Sequence, residues 1–301
     1  MSAERPPVCD YEGSTYQQTF WDSGARSYED AAEAHALRAL LPRRGKLLLE
    51  LGAGAGRNTP RYHGFERIVL LDYSRTQLQQ AQARLGGGGP AGSRYIFVAA
   101  DVYALPFVPG LFDAATMIRV IHHMADAPAA LRQVRAVLQP GATFILEFAN
   151  KQNLKAIARW LARRQTWSPF DPAPVEFARL NFDFHPGSML RWLHQSALEP
   201  EQVRAVSYLR VGVLKRALPG GLLAALDAAL QPTGQVAQFS PSVFVRARAR
   251  GEGPLAGPGA FFRCPACSGL ELKDSGDHLD CVQCGRRWAQ RDGIYDFKEP
   301  E

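Results

Sequence analysis

Only one cysteine, Cys9, stands in the first 263 residues of this 301-residue chain. Disulfides therefore cannot hold most of it together, and the core must come from apolar packing. Long apolar runs are missing too: none approaches the ~18 residues needed to cross a bilayer. The opening residues, MSAERPPVCDYEG, lack a basic segment followed by an apolar one, so no secretory signal is expected and a cytoplasmic location is. No internal repeat is seen, which argues against a solenoid. Hydrophobic residues make up 46% and charged residues 21%, which excludes a disordered chain. The length suits one large domain, or one large and one small.

Short apolar runs bounded by glycine or acid recur early in the chain. Residues 47–51, 68–71, 95–99, 114–120 and 143–148 each read as a buried strand. Residues 74–85 and 128–138 carry helical spacing between them, the first behind a Ser cap. Residues 1–44 read as helical and rich in aromatic and charged groups. Further on, 151–165, 188–197 and 222–230 read as helices, 203–209 and 242–248 as strands, and 166–186 as irregular. Strands alternating with helices predict an α/β fold around a parallel sheet, with the late strands completing the same sheet. The expected divisions are a main domain over 1–249, a Gly/Pro linker over 250–260 and a small module over 261–301.

The glycine loop ELGAGAG at 50–56 follows the first strand. Gly52, Gly54 and Gly56 let the backbone turn sharply and approach a ligand closely. The GxGxG spacing differs from that of dinucleotide sites. Glu50 ahead of it would repel a pyrophosphate and favour a cationic or amine-bearing ligand, which argues against a nicotinamide or flavin dinucleotide. Asp72, at the end of the second strand, suits both hydroxyls of a ribose. Asp101, after the third, suits an adenine amine. Each acid taken alone is equally a helix cap or loop residue; together they point into one crevice.

The segments LLLELGAGAGRNT, VLLDYS, AADVYALPF, FDAATMIRVIHHM and LRQVRAVLQPGATFILEF resemble the class I S-adenosylmethionine-dependent methyltransferases, in the group that includes the ubiquinone/menaquinone-biosynthesis enzymes. The likeness covers 47–148. It implies a Rossmann-like sheet with helices on both faces and S-adenosyl-L-methionine as cofactor. The implied contacts are Glu50, Gly52, Gly54 and Gly56 around its methionine end, Asp72 and Tyr73 at the ribose, and Asp101 and Val102 at the adenine. Residues 119–123 would face the transferable methyl group. A tyrosine ahead of the first strand often closes such sites, and Tyr16 and Tyr28 are the candidates.

Methyl transfer needs a nucleophile held in line, and orientation alone supplies ~7–11 kcal/mol. A base is needed only where the nucleophile keeps its proton at neutral pH. His122 and His123 are the nearest candidates, unless they serve only as a helix cap; His185 is another. Arg119 either pairs with the cofactor carboxylate or holds an anionic substrate. No NPPY-type tetrapeptide follows the fourth strand, which weakens methylation of nucleic-acid bases. Trp160, Trp167, Phe170, Phe177, Phe182 and Phe184 either roof an apolar substrate or pack an inserted loop.

Cys264, Cys267, Cys281 and Cys284 form two CxxC pairs, a set suited to a structural Zn2+. With the tail CGRRW…DGIYDF they resemble a Trm112-like zinc ribbon. Free-standing members of that family activate methyltransferases, so a fused copy would stabilise or regulate the main domain, or dock a protein partner. Residues 151–249 hold 13 basic and 6 acidic side chains, and 250–301 hold 7 and 9. An acidic ribbon does not suit nucleic acid. The leading expectation is an enzyme moving a methyl group to a small-molecule acceptor. The next is an rRNA or tRNA methyltransferase using the basic stretch as its RNA face. The third is a non-catalytic, cofactor-binding partner protein.

Overall fold

The computed structural model describes residues 6–14, 26–86 and 93–301. Strand β1 (Gly45–Leu51) sits at the centre, with β2 (Phe65–Asp72) on one side and β4 (Phe112–Met117) on the other. Strand β3 (Tyr95–Ala99) lies beyond β2, and β5 (Leu138–Ala149) beyond β4, all five parallel. Leu48, Leu49, Ile68, Val69 and Leu70 are fully buried, as strands covered on both faces require. Two late strands, β8 (Leu198–Val206) and β9 (Ser242–Ala249), complete this part of the sheet. Strand β9 runs antiparallel to both β5 and β8, giving the order β3-β2-β1-β4-β5-β9-β8.

Helix α1 (Ser27–Leu40), α2 (Arg75–Leu85) and α7 (Gly220–Leu230) cover one face; α3 (Ala127–Val137) and α5 (Pro186–Gln195) cover the other. Their ends follow local chemistry. Ser74 Oγ accepts from Gln77 N at 3.2 Å at the start of α2, and Asp126 accepts from Ala129 N before α3. His185 accepts from Gly187 N at 3.2 Å and so caps α5, with Pro186 next to it. The early helical expectation narrows to α1; residues 6–14 have no regular structure, and Tyr16 lies outside the described residues. The fourth strand stops at Met117, three residues earlier than its apolar run, because Arg119 turns into the left-handed region at φ 59°. Residues 166–186 contain a small hairpin, β6 (Val175–Ala178) and β7 (Asn181–Asp183). Helix α4 (Leu154–Leu161) reaches the segment ahead of α6 (Gly212–Ala217), where Lys155 Nζ donates to Arg210 O.

The C-terminal segment does not stand apart. Strands β10 (Leu272–Asp274), β11 (His278–Cys281), β12 (Arg287–Arg291) and β13 (Ile294–Asp296) form an antiparallel ribbon. Its last strand pairs in parallel with β3, aligning Tyr295 with Val98, and makes one eleven-stranded sheet. The Gly/Pro stretch before it is fastened to the main domain. Ala256 N donates to Gly110 O, Val108 N to Phe261 O and Arg263 N to Pro106 O, at 3.0–3.1 Å. Phe262 packs among Phe107, Tyr295 and Phe297, with centroids 4.7–5.9 Å apart. Among the described residues, no helix is long and apolar enough to cross a membrane.

Candidate active site

Because β1 connects to β2 on one side and lies beside β4 on the other, a crevice opens at their C-terminal ends, where open α/β sheets bind ligands. The glycine loop forms its floor. At Gly52, φ is 62°, and an added Cβ would lie 2.1 Å from Val120 Cγ2, so only glycine fits. Gly54, also at positive φ, has no atom nearer than 3.8 Å to such a Cβ and leaves its backbone open to the crevice. Gly56 differs: a Cβ there would press on Ala81 and Leu85 at 3.2 Å. It allows α2 to pack closely and does not line the cavity.

Two acids stand behind the loop. Asp72 Oδ2 accepts from Gly54 N at 2.8 Å and Oδ1 from Ser74 N at 2.9 Å. Each oxygen keeps further lone-pair capacity for ligand hydroxyls. Burial raises its pKa. Glu50 accepts from Thr59 Oγ1 at 2.6 Å; burial raises its pKa to about 7, against the hydrogen bond and the nearby Arg57. Tyr73 and Val102 also line the cavity. Asp101 does not: the wall is made by its neighbours Ala100 and Val102, and its Oδ1 caps the following turn by accepting from Tyr103 N at 2.8 Å. A buried carboxylate and a half-buried one beside a close-approach glycine loop suit a ligand that is cationic at one end and carries hydroxyls. S-adenosylmethionine meets that description.

A second cavity adjoins the first, and Tyr11, Arg119 and His123 line both. Arg119 is fixed by Glu33, fully buried, which also accepts from Arg57 Nη2 at 2.7 Å. The two arginines hold the Glu33 carboxyl below its usual range in spite of burial. Arg119 N donates to Glu147 Oε2 at 2.8 Å, and Ser242 Oγ donates to Oε1 at 2.5 Å. The histidine pair sits in a 3₁₀ turn, Ile121–His123, and caps no helix. His123 has both nitrogens engaged: Nδ1 lies 3.0 Å from Leu180 O and Nε2 lies 3.2 Å from Tyr11 Oη. Only an Nδ1–H tautomer satisfies both, with Nε2 accepting from the tyrosine. His123 thus joins the N-terminal segment to the β6–β7 hairpin. His122 Nδ1 is buried without a hydrogen-bond partner, in the wall of the second cavity. Burial pushes its pKa well below the usual value, so the ring is neutral at physiological pH.

Tyr28 lines neither cavity. Its hydroxyl donates to Asp227 Oδ1 and accepts from Leu209 N, both at 3.0 Å, pinning α1 to α7. Among the described residues ahead of β1, the tyrosine that lines both cavities is Tyr11, which no periodicity around it singles out. Val8 and Cys9 line the first cavity beside it. Glu12 accepts from the amides of Arg75 and Thr76 at the start of α2, and Gln77 Nε2 donates to Ser14 O at 3.2 Å. Of the aromatic stretch, Phe177 lines the second cavity, Phe184 is buried against Trp192, and Trp160 packs on Phe170 at the surface.

The four ribbon cysteines converge. Sγ separations are 3.7 Å for Cys264 and Cys284 and 3.5 Å for Cys267 and Cys281, and all four atoms lie within 4.8 Å of one another. A tetrahedron with Zn–S of about 2.3 Å has edges of about 3.8 Å, so the set fits zinc. Past the cysteines, Lys298 Nζ lies 5.3 Å from the Tyr73 ring and 3.9 Å from Glu12. The ribbon therefore touches the rim of the first cavity.

Residues 49–146 match the family described as methyltransferase domain. The O-methyltransferase cnsE of Penicillium expansum is 33% identical over 109 residues, 36% of this chain and 39% of that one. The ubiquinone/menaquinone biosynthesis C-methyltransferase UbiE of Paracoccus denitrificans is 32% identical over 134 residues, 43% of this chain and 52% of that one. The chain thus spans about half the length of these relatives, or less. A chain from the complex between the Haloferax volcanii Trm112 methyltransferase activator and a presumed methyltransferase superposes with a TM-score of 0.54 at 16% identity, covering 78% of this chain and 96% of that one. Sheet order and matched segment together make the main domain a class I methyltransferase fold.

Proposed function

We propose that this chain transfers the methyl group of S-adenosylmethionine to a small-molecule acceptor, and that the two adjoining cavities hold the two reactants. The observation that carries this is their meeting at Arg119, His123 and Tyr11, beyond the glycine loop. Both curated relatives, an O- and a C-methyltransferase, act in the same class of reaction by name. The cofactor, when bound, supplies a methyl carbon whose bond to sulfur breaks as the acceptor atom bonds to it. In this reading Asp72 holds the ribose hydroxyls, Glu50 balances the positive end, and Val102 and Tyr73 flank the adenosine. Arg119 orients the junction while its charge is balanced by Glu33. His122 borders the acceptor side as a neutral ring. Tyr11 and His123 close the junction against water. The ribbon serves as a zinc-stapled cover on the β3 edge.

The test is methyl-labelled S-adenosylmethionine with purified protein and a host extract, split into small-molecule, RNA and protein fractions. Label is expected in the small-molecule pool. Label in RNA overturns the acceptor class; no label in any fraction, with cofactor bound, overturns the enzymatic reading.

Glu50 gives this reading a pH signature. A protonated Glu50 offers no charge to a cationic ligand, so affinity is highest once the carboxyl has ionised. Below pH about 7, S-adenosylmethionine affinity is expected to fall by up to ~10-fold per pH unit, and to level off above it. Glu50→Gln should bind more weakly at pH 8 and lose the slope. Isothermal titration from pH 5.5 to 8.5 reads both, and a slope that survives in the variant assigns the proton elsewhere.

A further inference from the structure

The second cavity is more cationic than a methyl-transfer junction requires. Lys155 and Arg159 stand one turn apart on α4, Arg210 follows β8, and Arg26 precedes α1; all four line it together with Arg119. These groups come from separate parts of the chain and converge on one space. The carboxylates facing them are Glu147 and Asp183. Glu147 already accepts from Arg119 N and Ser242 Oγ; burial raises the pKa of both acids, while Arg159 and Arg210 act on Asp183 in the opposite sense. Arg119 is balanced by Glu33, and Arg210 lies 3.5 Å from Glu29, which is shared with Lys215. Lys155 Nζ donates to the Arg210 carbonyl, and Arg159 Nε donates to Gln165 Oε1 at 3.2 Å. Neither of these two is paired with a carboxylate in any of these contacts. At the opposite end, the buried His122 Nδ1 has no partner.

We propose that the acceptor is a small anion, its carboxylate or phosphate seated on Lys155, Arg159 and Arg210 and its methyl-accepting atom turned toward His122 and Arg119. Guanidinium groups bind such oxyanions through paired N–H donors, and an ammonium beside them adds a point charge. Phe177, Asn150 and Asn181 line the same cavity. The proposal rests on the methyl-transfer reading and narrows its acceptor. Lys155 and Arg159 are exposed on α4, but both line one cavity with Arg210, Arg26 and Arg119, and a bounded space of this kind favours a small anion over a nucleic-acid backbone.

The experiment titrates the full chain, saturated with S-adenosylhomocysteine, with 4-hydroxybenzoate, phenyl phosphate and the neutral 4-hydroxybenzamide. At least one anion is expected to bind at least ~10-fold more tightly than the amide, as charge-assisted contacts require. The preferred anion then tells carboxylate from phosphate. The double variant Lys155→Gln/Arg159→Gln should weaken that anion by a similar factor and leave S-adenosylhomocysteine affinity unchanged. The proposal fails if neither anion binds, if the amide binds equally well, or if the double variant binds the anion like the parent. Tighter binding of a 12-nucleotide RNA, with steep salt dependence, also overturns it in favour of a polyanion. Failure of S-adenosylhomocysteine itself to bind would count instead against the methyl-transfer reading.

Discussion

Cys264→Ser is expected to release the C-terminal ribbon from the main domain. Cys264 is fully buried, and its backbone N–H also closes the first knuckle on Gly269 O at 2.8 Å. A ribbon of some 40 residues has too little core to hold without its metal, and structural zinc supplies on the order of 10 kcal/mol to peptides of this kind. Once the ribbon melts, β13 leaves β3 and the Phe262 cluster opens. The exposed β3 edge is then a template for pairing with other chains. The expected results are one zinc per chain in the parent by elemental analysis, loss of that zinc in the variant, and new proteolytic cleavage after residue 250. Concentration-dependent aggregation on mild heating should accompany them. A strong chelator should reproduce the effect. A zinc-free parent, or a variant that melts and resists protease like the parent, would sink the prediction.

Asp72→Ala carries the other large effect. The substitution leaves Gly54 N and Ser74 N without their acceptor and removes the proposed ribose contacts. Hydrogen bonds to a charged group contribute about 1.5–3 kcal/mol each, so losing two to a ligand weakens binding by roughly 10²–10⁴-fold. Because Gly54 N anchors the glycine loop, part of the loss should be loop disorder. Asp72→Asn separates the two. It keeps the shape but offers one acceptor oxygen in place of two, so one amide must face an N–H₂ group. Its affinity should fall between parent and Asp72→Ala while its melting temperature stays nearer the parent. Equilibrium binding of S-adenosylhomocysteine with a parallel thermal melt decides this; less than a threefold loss in Asp72→Ala would remove Asp72 from the ribose role.

The parts of this fold that were legible from sequence share a physical cause. Strands β1 to β5 are buried on both faces, so each shows as a short apolar run cut off by glycine or acid. The same signal misjudged the end of β4, where Ile118 and Val120 remain apolar after leaving the sheet. Val120 is held against Gly52, and Arg119 takes a left-handed turn that no hydropathy pattern records. At the site, Glu50, Gly52, Gly54, Asp72 and Arg119, read from position, and Tyr73 and Val102, implied by the family resemblance, all line the first cavity. Gly56 packs against α2 and Asp101 caps the turn at Tyr103, and neither lines that cavity. Spacing shows that a residue follows a strand; it does not show which way the side chain faces. Tyr11 stayed hidden because its contact with His123 spans 112 residues and leaves no local trace. The β6–β7 hairpin is short and exposed, so alternation had no buried face to mark. The ribbon announced its cysteines, but its seat on β3 depends on a sheet edge almost two hundred residues earlier.

That seat has a consequence for assembly. The strand that covers β3 is joined to it by a segment already stitched to residues 106–110. Pairing is therefore intramolecular, at an effective concentration on the order of millimolar or above for so short a connection. Dilution cannot strip the ribbon away, and its amount always equals that of the domain it covers. A free protein that would add a strand to the same edge must first displace a tethered competitor. The β3 edge is thus closed to exchange, and a partner that adds a strand is left with β10 and β8, the two outer strands of the sheet.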